Sequence, residues 1–581
     1  MKRTVLSAIG CLLASTAFAQ QGDGTDVAIA TVINKPAKVD ADAARMAAIK
    51  APAGVKVSAF ATGLKNARII AVAPDGTVYV SRRDQGDVIM LRDANGDGKA
   101  DAAPVVVANR AGAHGLAIRD NKLYLVTVKE LFVADIQRDG TLGELKLLIG
   151  DLPDSGQHPN RTMAWGPDDM LYLSVGSTCN TCNESNQENA TMLRVSPDGK
   201  SRTIFASGLR NTIGFAWHPQ TGELWGLDHG IDFLGDEVQK EELNKIERGK
   251  MYGWPHVYGA NEIYPQSNPP GGITKPQWKE RSTPMALGYT AHAAPMQLVF
   301  DAAGDAYATM RGSWNRKPAS GYEIVRIRFD KGQPAAIEPF VTGFLTDGGK
   351  THIARPVGLA WARDGALLMA DDANGVIYRV ELAGAARAPG AAPAGVMREQ
   401  AARGNNVPLA RERTEGAGPG KLKVASPAFA DGATMDRKYS EYADGVSPPL
   451  SWSAVAGAKS YAVIAEDPDA APHKPFVHWL AWNIPANVLA LPEGLQEQAR
   501  LTEPEGVLQG TTTRGSVGYT GPRPPVGEPA HRYYFQVFAL DTVLDVPFGA
   551  DRDTLLAAMK GHVLANGVVM GKYAQKTAPP K

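Results

Sequence analysis

The sequence predicts a mainly β protein built from two separate folded units, on three observations. One strand–turn–strand pattern recurs six times in the first two thirds of the chain. The 61 glycines and 40 prolines make about 17% of the 581 residues, above the ~12% of ordinary chains, as turn-rich β structure and linkers require. Around 383–420 the apolar periodicity stops and Ala, Gly, Pro and Arg take over, after which a different strand pattern begins.

Taken from the N-terminus, Lys2 and Arg3 precede an apolar run at 5–14, and Ala17 and Ala19 stand where a signal peptidase reads small residues. Residues 1–19 are expected to be a cleaved signal peptide, 20–49 an N-terminal extension, and the mature protein periplasmic or secreted. The run at 5–14 is too short for a transmembrane anchor, and no other stretch is long enough. A lipid anchor at Cys11 would need a better lipobox than Ala8, Ile9 and Gly10.

The repeats span 50–382. Each opens on a polar or basic residue, runs into an apolar strand, turns on Asp or Gly and returns. The copies start at Arg68, His114, Arg161, Arg210, Met296 and Arg355. At intervals of mostly ~40–60 residues they suit four-stranded blades, so a six-bladed β-propeller is expected. A longer insertion at 230–290 carries few strand signals and should form loops on one face. The segment 383–420 reads as a linker and 421–575 as a second β-rich domain, with a late helix over 551–565 from Leu555, Met559 and Val563 at spacing four.

Sixty-one basic and 61 acidic residues give zero net charge, which excludes the basic face or tail of a nucleic-acid binder. A hydrophobic fraction of 44% excludes wholesale disorder. Once Cys11 leaves with the signal, Cys179 and Cys182 are the remaining cysteines. Asn183 is not the His a haem site needs, flanking zinc ligands are poor, and the pair follows a strand rather than opening a helix. A local disulfide is therefore expected in an oxidising compartment.

Residues at the starts of innermost propeller strands converge on one pocket. The repeats place Arg68, His114, His158, Arg161, Arg210 and Arg355 there, with Arg311 close by, a set suited to a small polyanionic ligand. Asp93, Asn95, Asp97 and Asp101 match the first part of a calcium loop, but Pro104 stands where its last ligand, Glu, belongs. A metal-free hairpin turn reads at least as well.

The ordered set Gln157, His158 and Arg161; Gly208, Arg210 and Asn211; Asp228, His229 and Gly230; Glu242, Asn244, Tyr252 and Trp254; Arg311, Trp314 and Arg316; and Arg355 with Gly358 resembles the soluble glucose/sorbosone dehydrogenases that use pyrroloquinoline quinone (PQQ). The resemblance implies oxidation of an aldose or sugar aldehyde by hydride transfer to PQQ, with a separate soluble electron acceptor. It implies His158 as general base and Arg210 as the cation at the quinone oxygen. Arg161, Asn211, His229, Arg311 and Arg355 would bind the cofactor, and main-chain oxygens at Gly230 and Ile231 would bind Ca²⁺. The stretch from Asp228 to Ile231 departs from the glucose enzymes, which puts the calcium in doubt, and the cysteine loop resembles the sorbosone branch more closely. A metal-dependent lactonase would want a central Glu/Asp/Asn cluster instead, and a binding scaffold would take up no cofactor.

Beyond the linker, Asp467, Asp469, His478, Gly518, Gly521, His531 and Tyr533 resemble the phosphatidylethanolamine-binding, or Raf-kinase-inhibitor-like, family. That resemblance implies an anion pocket lined by Asp467, His478, Gly521 and His531, with a phosphate or phospholipid head group as its partner. An extra residue around Ala470 and Ala471 would alter its rim.

Overall fold

A computed structural model of the chain describes residues 32–153, 156–199, 202–270, 273–382, 388, 392–393, 409–414, 420–470, 475–524 and 530–575. The expected signal peptide and most of the expected linker lie outside the described residues.

The first unit is made of six four-stranded antiparallel sheets. Their first strands are Ala67–Val72, Gly115–Arg119, Met163–Trp165, Thr212–Trp217, Pro295–Phe300 and Pro356–Trp361. Each pairs with the strand that follows it, so all six hairpins read from the repeats are present. Pro74, Asp75 and Gly76 show why these turns form. The Asp75 side chain accepts from the amide (2.9 Å) and hydroxyl of Thr77, and Gly76 takes a φ of 95° that a side chain would resist.

Neighbouring sheets touch through their first two strands by two alternating devices. Hydroxyls of Ser81, Thr162 and Thr309 donate to the carbonyls of His114, Ile213 and Val357 in the next sheet, each at 2.6 Å. At the other three junctions a missing side chain allows the approach: a Cβ on Gly115, Gly214 or Gly358 would collide with the backbone of Arg161, Met296 or Arg68. The sixth sheet thereby abuts the first. Its fourth strand comes from the far end of the unit, where Lys56–Ala61 pairs with Ile377–Glu381.

The insertion after residue 230 is more ordered than expected. Glu241–Ile246 and Leu287–Tyr289 are the third and fourth strands of the fourth sheet. Between them lie a short ribbon (Val257–Tyr258 with Glu262–Ile263) and the helix Lys275–Arg281, capped by Thr274. Pro276 at the first turn and a Thr274–Gln277 capping box explain why a helix starts there.

The second unit has a six-stranded sheet centred on Ser460–Asp467, flanked by Phe476–Pro485 and His531–Leu540, and a separate three-stranded sheet. Alternation along the central strand sends Tyr461, Val463 and Ala465 into one core and Ala462 and Ile464 into another. The late helix is shorter than its apolar spacing suggests. Arg552–Met559 is helical, Gly561 takes a positive φ, and Val563 begins the long strand Val563–Tyr573. The two units meet where Trp278 packs with Val517 and Ile273, and Arg281 donates to the carbonyl of Gly549 (3.1 Å).

Candidate functional site

The strand starts are fixed by carboxylates from the neighbouring strand ends. Asp228 accepts from the amides of Arg210 and Asn211 and the hydroxyl of Thr212, each at 2.8 Å. Asp371 does the same for the amide of Arg355 at 2.7 Å. Burial pushes both carboxyls up, Asp371 to about 6, against the pull of these donors.

Three arginines gather around one acid. Arg311 Nε donates to Asp372 Oδ2 at 2.9 Å, and Arg68 Nη1 pairs with the same oxygen. Arg355 lies over the Tyr322 ring and donates to the carbonyl of Gly312 at 2.7 Å. Burial, then the charge of Arg311, lowers Arg355 to about 10, so it stays cationic near neutrality. Burial raises the cost of the Asp372 charge, yet Arg311 and Arg68 hold its carboxyl below the usual range. Three guanidinium groups against one carboxylate leave an excess of positive charge without an anionic partner. Behind them His114 accepts from Arg68 at Nε2 (3.2 Å) and hydrogen-bonds the carbonyl of Arg161 through Nδ1 (2.9 Å).

His158 stands beside Asn211. A Cβ on Gly176 would lie 2.6 Å from His158 Cβ and 2.9 Å from Asn211 Oδ1, so this glycine lets the two sit together. His158 Nδ1 lies 2.9 Å from the carbonyl of Ser177 and 2.8 Å from its hydroxyl, which itself donates to the carbonyl of Cys179. Donation from Nδ1 leaves Nε2 with its lone pair. Burial, then Arg210, then His229 lowers His158 to about 2, so the ring is neutral. His229, lowered to about 3 chiefly by burial, faces the carbonyl of Pro295 through Nε2 and Asn211 Nδ2 (3.4 Å) through Nδ1. Arg210 is 3% exposed and is held by Asn180 and Asp232. Asn211 Oδ1 is a buried acceptor without a donor.

The sequence-predicted residues His158, Arg210, Asn211, His229, Arg311 and Arg355 thus fall in the ring of strand starts and adjoining loops. Arg161 does not face the opening. It is fully buried and donates to the carbonyls of His158 (3.0 Å) and Pro153 (3.0 Å), bracing the turn beneath His158. The sequence does not single out Asp372, Asn180 or Ser177, though Asp372 directly follows Asp371, the strand-end counterpart of Asp228.

The side chains around Gly230 and Ile231 serve neighbouring donors. Glu241 takes the amides of Gly230 (2.9 Å) and Ala294 (2.8 Å), Gln239 takes that of Ile231 (2.8 Å), and Asp232 takes Asn315 (2.7 Å). The calcium expected here rests on the main-chain oxygens of Gly230 and Ile231, which none of these contacts engages. At the second calcium candidate the acceptors also serve main-chain amides: Asp93 those of Gly96 and Gly98, Asn95 that of Asp97, Asp97 that of Lys99, and Asp101 that of Ala94. Among the described residues the only gathered set of three metal-ligating side chains is Cys179, Cys182 and Glu184, and those sulfurs form the expected disulfide.

In the second unit Asp467 Oδ2 lies 2.8 Å from His531 Nδ1, and His478 packs edge-on to Tyr533. Gly521 differs from expectation, since its amide donates to Glu441 (2.8 Å) rather than facing a ligand. Ala471 of the rim lies outside the described residues. The pocket opens into a cavity of about 1150 Å³ between the two units, lined also by Arg514, Arg523, Glu188 and Trp278. Burial first lowers Arg514 to about 10; its Nη1 pairs with Glu441 at 3.5 Å, while its Nε and the hydroxyl of Tyr533 are buried without hydrogen-bond partners.

The profile of the TrAA12-like family matches residues 49–383, and that of phosphatidylethanolamine-binding proteins matches residues 425–574. A UPF0098 protein of Methanothermobacter thermautotrophicus is 43% identical over 153 residues, which are 26% of this chain and 98% of that protein. The calcium structure of the Trichoderma reesei family AA12 enzyme is 21% identical with a TM-score of 0.52, covering 57% of this chain and 97% of that one. The holo form of the pyranose dehydrogenase PQQ domain from Coprinopsis cinerea is 19% identical with a TM-score of 0.50, covering 60% and 100%.

Proposed function

The chain belongs to the TrAA12-like family and carries a phosphatidylethanolamine-binding protein unit behind it, and from that premise we propose that it is an exported quinoprotein, a six-bladed propeller that oxidises an aldose or sorbosone-like sugar aldehyde with PQQ. The observation that carries this reading is the excess of positive charge where Arg68 and Arg311 share Asp372 and Arg355 lies close by, hydrogen-bonded to main-chain carbonyls and without a carboxylate of its own. A compact tricarboxylate suits that excess.

PQQ, when bound, supplies a quinone that accepts hydride. Arg311 and Arg355 would hold its carboxylates, and Arg210 would place positive charge where negative charge develops on oxygen. His158 Nε2 would take the hydroxyl proton of the sugar, its Nδ1–H fixed by Ser177. The low basicity of His158 reflects burial beside Arg210 and His229, and an anionic neighbour raises it. Calcium is assigned no step. Electrons leave to a separate soluble acceptor.

For the second unit the reading is a phosphate-class anion held by His478 and His531, with Arg514, which lines the same cavity, supplying positive charge. Inorganic phosphate should shift both imidazole resonances, and Arg514→Met should weaken that binding about tenfold.

The test of the enzymatic reading is uptake of PQQ by the purified chain, followed by dye reduction across a panel of aldoses. Micromolar binding and turnover lost in His158→Ala are expected; folded protein that takes up no PQQ refutes the reading.

A further inference from the structure

Two of the three nitrogens of the Arg210 guanidinium are taken by one residue. Nε donates to the main-chain oxygen of Asn180 at 3.0 Å and Nη2 to its side-chain oxygen at 2.7 Å. Two acceptors on one rigid residue fix the plane of the guanidinium fork, leaving Nη1 for a ligand. Asn180 is itself fixed on three sides. Its Oδ1 also accepts from the amide of Asp232 (3.0 Å), its Nδ2 donates to the carbonyl of Asp232 (3.3 Å), and its main-chain oxygen also accepts from Trp254 Nε1 (3.2 Å). It stands inside the four-residue loop that the Cys179–Cys182 disulfide closes. The first residue of that loop receives the hydroxyl of Ser177, the group that also holds His158 Nδ1.

We propose that Asn180, in its disulfide-closed loop, is the positioning residue that aims the Arg210 guanidinium, and that the same loop orients His158 through Ser177. The proposal rests on the reading of Arg210 as the cation beside the reacting atoms. An unclamped Arg210 would still be present and charged, but its fork would swing toward Asp232, 3.4 Å from Nη2. One short loop therefore sets the geometry of both groups assigned to proton and charge transfer.

The experiment labels the whole protein with phenylglyoxal and maps modified arginines by mass spectrometry, in wild type, Asn180→Ala, Asn180→Asp and the Cys179→Ser/Cys182→Ser double variant. Arg68, buried in the neighbouring cluster, is the internal reference. Labelling of Arg210 relative to Arg68 should rise at least about tenfold in Asn180→Ala and less in the double variant. Asn180→Asp, which keeps the side-chain acceptor, should return it toward wild type. Equal labelling in all four proteins, or a rise shared equally by Arg68, overturns the proposal. In PQQ-loaded protein Asn180→Ala should lower kcat about tenfold or more while KM for the sugar stays within twofold, and weaken PQQ binding read by tryptophan quenching. If wild type takes up no PQQ, the functional reading fails while the labelling ratio still decides whether Asn180 clamps Arg210.

Discussion

Arg311 follows the second strand of the fifth sheet and Asp372 follows the second strand of the sixth, and a 2.9 Å hydrogen bond from Arg311 Nε joins them. Arg68, from the first sheet, reaches the same carboxylate. Asp372 thus ties three sheets at the centre of the unit while neutralising only part of the charge around it.

Asp372→Asn removes the one carboxylate that Arg68 and Arg311 share. Breaking a buried pair costs about 3–5 kcal/mol, because the cations left behind remain desolvated. Calorimetry should show a Tm lower by several degrees. Sulfate or PQQ should restore more Tm in the variant than in wild type, and equal gains in both would contradict an anion-seeking cluster.

His158→Ala should retain PQQ binding and lose about 10²–10⁴ in kcat. Because the His158 ring stays neutral down to about pH 2 in the free protein, kcat/KM should show no limb near 6.5 from this group. A limb at that pH that vanishes in the variant would show that the ring is less buried than described.

Glu241 and Glu242 are buried carboxyls that burial raises to about 8. A carboxyl whose folded value exceeds its unfolded one contributes stability that is present below about 4.5 and is lost as pH rises through 8. His158, His229 and His256, lowered to about 2, 3 and 3, have the opposite sign, and their contribution is complete above about 6.5. Between pH 6.5 and 8 these histidines no longer contribute a slope while Glu241 and Glu242 still do, so stability should fall there by up to about 1.4 kcal/mol per pH unit for each, read as a falling Tm. Glu242→Gln should roughly halve that slope. The carboxamide of Asn244, whose Oδ1 is buried without a partner, can flip to accept from the new side chain.

Trp278→Ala should uncouple the units. The indole is buried between Ile273 and Val517 and donates to the carbonyl of Gly253 at 2.8 Å. Its loss costs about 3–5 kcal/mol at the contact. Two separated calorimetric transitions should replace a more concerted one; a single unchanged transition would mean that the units are held elsewhere.

The hairpins were legible because a Pro-Asp-Gly turn between two alternating apolar runs is a local instruction, complete within about fifteen residues. The disulfide was legible for the same reason. The partner of Lys56–Ala61 was not, since nothing near residue 56 names a strand that begins at Ile377. Arg161 shows a second limit: its place in the repeat matches Arg68 and Arg210, but its side chain turns under the chain instead of into the opening. Asp372 and Asn180 act through groups brought from other sheets, so their roles exist only once those sheets are assembled.

The pairing of Lys56–Ala61 with Ile377–Glu381 has a consequence for biosynthesis. At ~5–20 residues per second, a ribosome makes the early strand roughly 15–60 s before its partner. Throughout that interval the segment is a bare strand and the last sheet lacks a member, so early exposure to other chains invites mispairing between copies. The last sheet therefore gains its fourth strand only once residues 377–381 have been made, late in synthesis.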